Sequence, residues 1–243
     1  MDAFVDLWRW LIDPANWRGS DGVPIRVVQH LELSFAPLAI ASAVAIPMGL
    51  LVGHWRRFEF LAVSFANVGR AVPSFALLIL AYLFFLRLFP AQAFGFAPTT
   101  VALFLLAVPP ILTNSYVGAQ GVDADTVEAA RGMGMTEGQV LRRLELPLAA
   151  PLIMAGVRTA AVTVVATATL AALIGGGGLG RYIIDGFAQG DQPQVLAGAA
   201  LVAVLAIVTE VAFGRLERVV SPRTSSRGRK RSAEPEQVAV KTA

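Results

Sequence analysis

Cysteine is absent, and the two histidines, His30 and His54, lie far apart in the sequence. Disulfides, thiol nucleophiles and thiolate metal sites are therefore excluded, and no metal site is expected. Gly175-Gly-Gly-Gly-Leu-Gly180 has the look of a phosphate loop. That motif needs Lys and then Ser or Thr after its last glycine, whereas Arg181 and Tyr182 follow here. A tight turn or close backbone crossing accounts for the glycines; a part in an outer gate is the alternative. No nucleotide-binding motif occurs, so neither ATP hydrolysis nor a cofactor is expected of this chain. The remaining chemistry-bearing residues are polar groups set in apolar sequence. Thr159, Thr163 and Thr167 recur every four residues and share one helix face. They either line a polar path or hydrogen-bond and pack between helices. Asn114, Ser115 and Tyr116 pose the same choice, most sharply at Asn114, whose amide is costly in lipid. Arg70 and Arg158 fall within or near apolar runs. Each marks a functional site with a partner or snorkels to an interface. Glu210 is a partner for Arg158 if the two lie at similar depth.

The elements that must carry these residues are membrane helices. The chain has 243 residues, of which 56% are hydrophobic and 15% charged. A soluble domain is about 25% charged, and the mean hydropathy here is +0.63. Roughly 20 apolar residues cross a bilayer as a helix. Five runs qualify: Leu31 to Gly53, about Phe60 to Leu88, Thr99 to about Gly118, Leu148 to Ile174, and Val195 to Phe213. The expected fold is an all-α, polytopic membrane bundle of about five spans. Pro37, Pro47, Pro73, Pro109 and Pro110 fall inside these runs, which suits a packed bundle where neighbours satisfy the freed carbonyls.

Positive charge orients the bundle. Arg56 and Arg57, then Arg131, Arg142 and Arg143, then the cluster from Arg215 to Lys241, all fall on one side of five alternating spans. They hold most of the 20 Lys and Arg. Arg9, Arg18, Arg26, Arg87 and Arg181 fall on the other. The N-terminus is therefore expected outside and the C-terminus in the cytoplasm. This distribution accounts for the basic pI of about 9.8 without nucleic acid. The start of the chain lacks the basic region of a signal peptide. In residues 1–30, Phe4, Leu7, Trp8, Leu11 and Ile12 recur at helical spacing, which fits an interfacial helix or a short helix packed on the bundle. Residues 216–243 are rich in Ser, Arg, Pro and Glu and are expected to be disordered.

One charged segment interrupts the apolar sequence on the cytoplasmic side. Asp125-Thr-Val-Glu128 and Thr136-Glu-Gly-Gln139 both have the spacing of capping boxes. Gly132 and Gly134 lie between them, and Met135 and Val140 are placed as a hydrophobic staple. Two short helices joined by a glycine turn follow, at about residues 123–146. In this pattern Glu128 holds the start of the first helix. Val127, Ala129, Ala130, Met133, Met135, Val140, Leu141 and Leu144 give the pair more apolar surface than a loop in water carries. They are either buried on the protein's own bundle or offered to a cytoplasmic partner, helix in groove.

Glu128-Ala129-Ala130, Gly134, and Leu144-Glu145-Leu146-Pro147 at this spacing resemble the EAA loop of ABC-importer membrane subunits; that family usually has Ile where Leu144 stands. Further stretches resemble the osmoprotectant branch, whose solutes are glycine betaine, carnitine, choline and proline betaine. They are Arg70-Ala-Val-Pro-Ser74, Thr113-Asn-Ser-Tyr-Val-Gly118, Glu145-Leu-Pro-Leu148, Ile153-Met-Ala-Gly-Val-Arg-Thr159 and Ala168-Thr-Leu-Ala-Ala-Leu-Ile-Gly175. Methionine-type permeases share the EAA loop and are the nearest rival; a membrane scaffold without transport is the rival of a different class. The resemblance implies a type I permease fold in a bacterial inner membrane, with coupling to an ATPase through Glu128, Ala129, Ala130, Gly132, Gly134, Leu144, Leu146 and Pro147. It also implies a dimer of ATPases that use ATP and Mg, an outer solute-binding protein, and a second permease subunit, identical or paralogous. The expected pathway residues are Asn114, Tyr116, Thr159, Thr163 and Thr167.

Overall fold

The computed structural model describes residues 2–56, 60, 64, 69 and 71–220. The expected second span before residue 71, with Arg70, and the expected tail beyond 220 fall largely or wholly outside the described residues. Helix α1 (Asp2–Ile12) leads through a single turn, Pro14–Trp17, to α2 (Val23–Trp55). Helices α3 (Ser74–Leu88), α4 (Phe96–Gln120) and the short α5 (Ala124–Gly132) follow. Helix α6 (Glu137–Val140) continues through a π-turn at Leu141–Glu145 into α7 (Leu146–Thr167), which tightens to a 3-10 stretch over Ala168–Ile174. Helix α8 (Gly180–Gln189) and α9 (Gln192–Val220) complete the chain. Among the described residues, four helical stretches are long and apolar enough to cross a membrane: 23–55, 96–120, 137–174 and 192–220. Helix α3 is the described remainder of the expected second span.

Two expected boundaries move. The first span begins at Val23, not Leu31, so the N-terminal segment ends well before residue 30. Arg26, Gln29 and His30 interrupt the apolar pattern but each finds a partner inside the fold. Arg26 reaches Asp21 at 2.5 Å and Gln29 at 3.0 Å. Helix α9 runs to Val220, past the expected start of the tail at 216. Pro73 lies at the head of α3 and not within a helix, whereas Pro37, Pro47, Pro109 and Pro110 are intrahelical, as is Pro151.

Close backbone crossings build the core. A Cβ on Gly49 would sit 2.6 Å from the Ser115 Cβ, and one on Gly53 would sit 2.6 Å from the Tyr116 carbonyl oxygen. This pair, four residues apart, lets α2 lie directly on α4, the small-residue packing that membrane helices use in place of a hydrophobic driving force. Gly156 does the same for α7 against α4, where a Cβ would meet Asn114 Cβ at 2.7 Å and the Pro110 carbonyl at 2.9 Å. Ala41, Ala45, Ala107, Ala160 and Ala161 fill the seams with no exposed surface.

At the end of the bundle away from α5 and α6, the glycine run crosses α2. Gly175 and Gly178 take positive φ. The Gly178 N–H donates to Gln29 Oε1 at 3.0 Å, and the Leu179 N–H donates to His30 Nδ1 at 3.3 Å. His30 Nε2 lies 2.8 Å from the Val165 carbonyl, the bonding pattern of a neutral imidazole. The close-crossing expectation for these glycines is thus met. Helix α1 packs Trp10 edge-on to Tyr182, with ring centroids 5.2 Å apart, while Phe4, Trp8 and Ile12 stay exposed. It therefore has one face on the bundle and one left for lipid.

Candidate coupling site and translocation face

The charged segment between α4 and α7 folds as a helical hairpin with a small core of its own. Val122, Val127, Ala130 and Val140 are buried together, with Met135 and Leu144 packed against them. The second capping box is present: Gln139 Oε1 accepts the Thr136 N–H at 2.9 Å, and the Thr136 side chain accepts from the Gln139 backbone. The first is not. Helix α5 is capped by Asp123, which accepts the Thr126 N–H at 2.9 Å and the Thr126 hydroxyl at 3.0 Å. These hydrogen bonds hold the Asp123 carboxyl below the usual aspartate range. Asp125 consequently falls in the first turn, and Glu128 does not serve as a capping partner. Glu128 is exposed and lines a cleft with His54, Trp55, Arg56 and Arg131.

The turn belongs to Gly134 alone. Gly134 takes φ +85°, while Gly132 is the last residue of α5. The Met135 N–H reaches the Ala130 carbonyl at 3.2 Å and the Gly134 N–H the Arg131 carbonyl at 2.9 Å, a Schellman ending. One face of the hairpin is consumed by its own core. The opposite face leaves Glu128, Ala129, Gly132 and Met133 open, with Met133 78% exposed. Of the two readings of the apolar residues, burial holds for Val127, Ala130 and Val140, in the hairpin's own core, while Ala129 and Met133 stay exposed.

Leu144, Leu146 and Pro147 have a different part. Pro147 lacks an N–H and its ring would crowd the carbonyl four residues earlier. The π-turn at Leu141–Glu145 widens the helix there, with the Leu146 N–H bonded back to the Leu141 carbonyl. These residues join the hairpin to α7 without a break.

Four side chains lock the hairpin, His54 from α2 and Arg131, Glu137 and Glu145 from the hairpin itself. His54, at the end of α2, places Nδ1 2.7 Å from Glu145 Oε2 and Nε2 3.1 Å from Glu137 Oε2. Arg131 grips Glu137 with Nε and a terminal nitrogen, both at 2.9 Å. Glu145 is buried and the His54 side chain is 3% exposed. No local sequence signal marks these contacts.

The five candidate pathway residues do not converge. Tyr116 is buried in the core. Asn114 lies at the α4–α7 crossing and donates to the Pro110 carbonyl at 2.8 Å. Thr167 lies beside Ser74, Leu78 and Thr99. Thr159 and Thr163 share an open face, and their hydroxyls bond back to Ala155 and Thr159 carbonyls at 3.0 and 2.8 Å, not across to a neighbouring helix. That face carries Arg158, Thr159, Thr163 and Ala166, with Val162 half-buried beside them. The open face of α9 instead carries Val204, Ile207, Val208 and Val211. The second composition suits lipid; the first suits protein or water. Arg158 is held by Glu210, as its position in the sequence allows, and also by Glu217 at 3.0 Å.

The sequence profile of the binding-protein-dependent transport system inner membrane components matches residues 45–225. The chain belongs to that family. It is a multi-pass membrane permease subunit of an ABC importer, as the EAA-loop resemblance implied, and not itself an enzyme. A carnitine transport permease protein of Listeria monocytogenes is 39% identical over 199 residues, covering 82% of the permease and 88% of that relative. A glycine betaine/carnitine/choline transport system permease protein of Bacillus subtilis is 37% identical over 195 residues, 80% of the permease and 87% of the relative. An osmoprotectant import permease protein of Salmonella typhimurium is 36% identical over 198 residues, 81% of each. The fold is that of the inward-facing MetNI methionine ABC transporter, with a TM-score of 0.73 at 22% identity over 82% of the permease and 97% of that chain.

Proposed function

We propose that the permease forms the pathway for a quaternary-ammonium osmoprotectant such as glycine betaine, carnitine or choline. Relatives named for these solutes, at 36 to 39% identity over about four-fifths of the chain, carry this assignment. Two permease subunits would face each other across the Thr159–Thr163 surface of α7, whose largely small and polar composition supports a protein- or water-lined role. Each hairpin would offer its open Glu128–Gly134 face to one of two cytoplasmic ATPases, which bind the ATP and Mg. The N-terminus would lie outside, where a solute-binding protein docks. ATP binding draws the ATPases together, moves the hairpins and turns the pathway outward. Each ligand must then favour one of the two states by its differential affinity.

The deciding experiment is uptake into proteoliposomes that hold the permease, its ATPases and its binding protein. Radiolabelled glycine betaine, carnitine and choline are each compared with methionine. Uptake of at least one quaternary amine is expected to exceed that of methionine. Preference for methionine overturns the solute assignment and leaves the family standing. Glu128→Lys and Gly134→Leu should weaken ATPase co-purification while the protein stays in the membrane. Undiminished co-purification and uptake in both would refute the docking face.

A further inference from the structure

His54 belongs to α2, yet it binds both ends of the second half of the hairpin. Glu145 lies at the end of the π-turn that enters α7, and Glu137 at the start of α6. Arg131, on α5, holds the same Glu137. Both of the imidazole's partners are carboxylates, which only accept, so the two bonds coexist when the ring carries both N–H groups. The chain Glu145–His54–Glu137–Arg131 links the entry to α7 with α2, α6 and α5. Helix α7 is covalently continuous with the hairpin, whereas α2 is separated from it by the whole of α3 and α4.

We propose that His54 is a positioning residue that makes α2 move with the coupling hairpin, so that ATPase closure drives the first span as well as the fourth. This rests on the proposed docking of the hairpin on an ATPase. The geometry favours transmission over simple packing. The ring is nearly inaccessible and both of its nitrogens face carboxylate oxygens, and hydrogen bonds to an ionised acceptor are short, directional and strong. A load on α6 therefore reaches α2 through His54.

The test uses the complete assembly in proteoliposomes and reads solute moved per ATP hydrolysed. His54→Leu should lower that ratio at least five-fold while the ATPases still co-purify. His54→Gln, whose amide donates to one carboxylate, should restore part of it. Glu137→Ala, at a carboxylate 58% exposed, breaks one arm without disturbing the buried pair; it should lower the ratio about two-fold and carries the test if His54→Leu does not fold. Because the chain has no cysteine, the permease with Trp55→Cys and Arg142→Cys can be spin-labelled on its own, without background, and then assembled with its partners. Their separation should stay constant between nucleotide-free and ATP-bound assemblies, and should change on ATP binding once His54→Leu is added. Parallel losses of uptake and hydrolysis at constant ratio, or an unchanged ratio, overturn the inference and leave the docking face intact. Loss of ATPase co-purification in the His54 variants overturns it in favour of a purely shape-holding role. A wild-type assembly without ATP-driven uptake overturns both.

Discussion

Arg158 on α7 donates its Nε–H to Glu210 Oε1 on α9 at 2.8 Å, although the two residues are 52 apart in the sequence. A terminal nitrogen of the same guanidinium reaches Glu217 at 3.0 Å. The pair lies beside Thr159, and its side chains are partly exposed; a charged pair is strongly unfavourable against hydrocarbon and is at ease against protein or water. Arg158→Ala leaves Glu210 and Glu217 without their shared partner, and Glu210→Ala leaves Arg158 with Glu217 alone; each should lower the thermal midpoint of the solubilised protein, the first by more. The exchanged pair Arg158→Glu with Glu210→Arg should recover more than half of that loss, a coupling that a double-mutant cycle reads directly. Additive losses would show that the two side chains act independently.

Gly156 and Gly138 predict opposite results for the same change. A Cβ at Gly156 meets Asn114 Cβ at 2.7 Å and the Pro110 carbonyl at 2.9 Å, whereas at Gly138 nothing lies within 4 Å. Gly156→Ala should therefore push α7 off α4, at about 1–3 kcal/mol in overpacking. Gly138→Ala, in a helix with room for a methyl, should be neutral or stabilise by about 0.4–1 kcal/mol. Reversible unfolding in mixed micelles ranks the two variants, and equal effects would contradict the crossing.

His30 supports the glycine crossing by accepting the Leu179 N–H and bonding the Val165 carbonyl. His30→Leu fills the space but leaves both backbone groups unpaired in a buried place, at about 1–3 kcal/mol each. Lower thermal stability and faster exchange of the Leu179 amide are expected. His30→Gln, which can both donate and accept, should be milder than Leu. Identical losses in the two variants would show that the imidazole's shape matters and its bonds do not.

What was legible in the sequence was local. The Thr136–Gln139 box and Gly134 lie within a few residues of their partners, so the hairpin follows from short-range rules. The apolar runs do the same for the spans. The cap of α5 shows where such rules fail. Asp123 and Asp125 are both good capping residues, and it is the second bond from the Thr126 hydroxyl that favours Asp123. The start of α2 was hidden for the opposite reason. Gln29 looks interfacial until its partner Gly178, 149 residues away, is in place. The His54–Glu145 contact, across 91 residues, has no local mark at all. Gly49 and Gly53 are different: their four-residue spacing is a readable signal for close helix packing, and the nearby Pro47 draws attention away from it.

Asp123 gives the hairpin a defined response to acid. Its carboxyl is held below the usual value of about 3.9 by the Thr126 N–H and hydroxyl. A carboxyl whose pKa is lower folded than unfolded contributes stability that is fully present above the unfolded value. That contribution is lost as pH falls through the folded value. Helix α5 should therefore hold its amide protection down to about pH 4 and lose it below, after correction for intrinsic exchange. Asp125, Glu128 and Glu137 are neighbouring carboxylates of the same hairpin, so a comparison variant must isolate the cap. Asp123→Asn keeps the acceptor without the charge and should flatten the acid step, leaving any residue of it to those neighbours. Asp123→Ala should raise exchange of the Thr126 amide several-fold at neutral pH as well. An acid step of equal size in wild type and Asp123→Asn would assign the response to the neighbouring carboxylates instead.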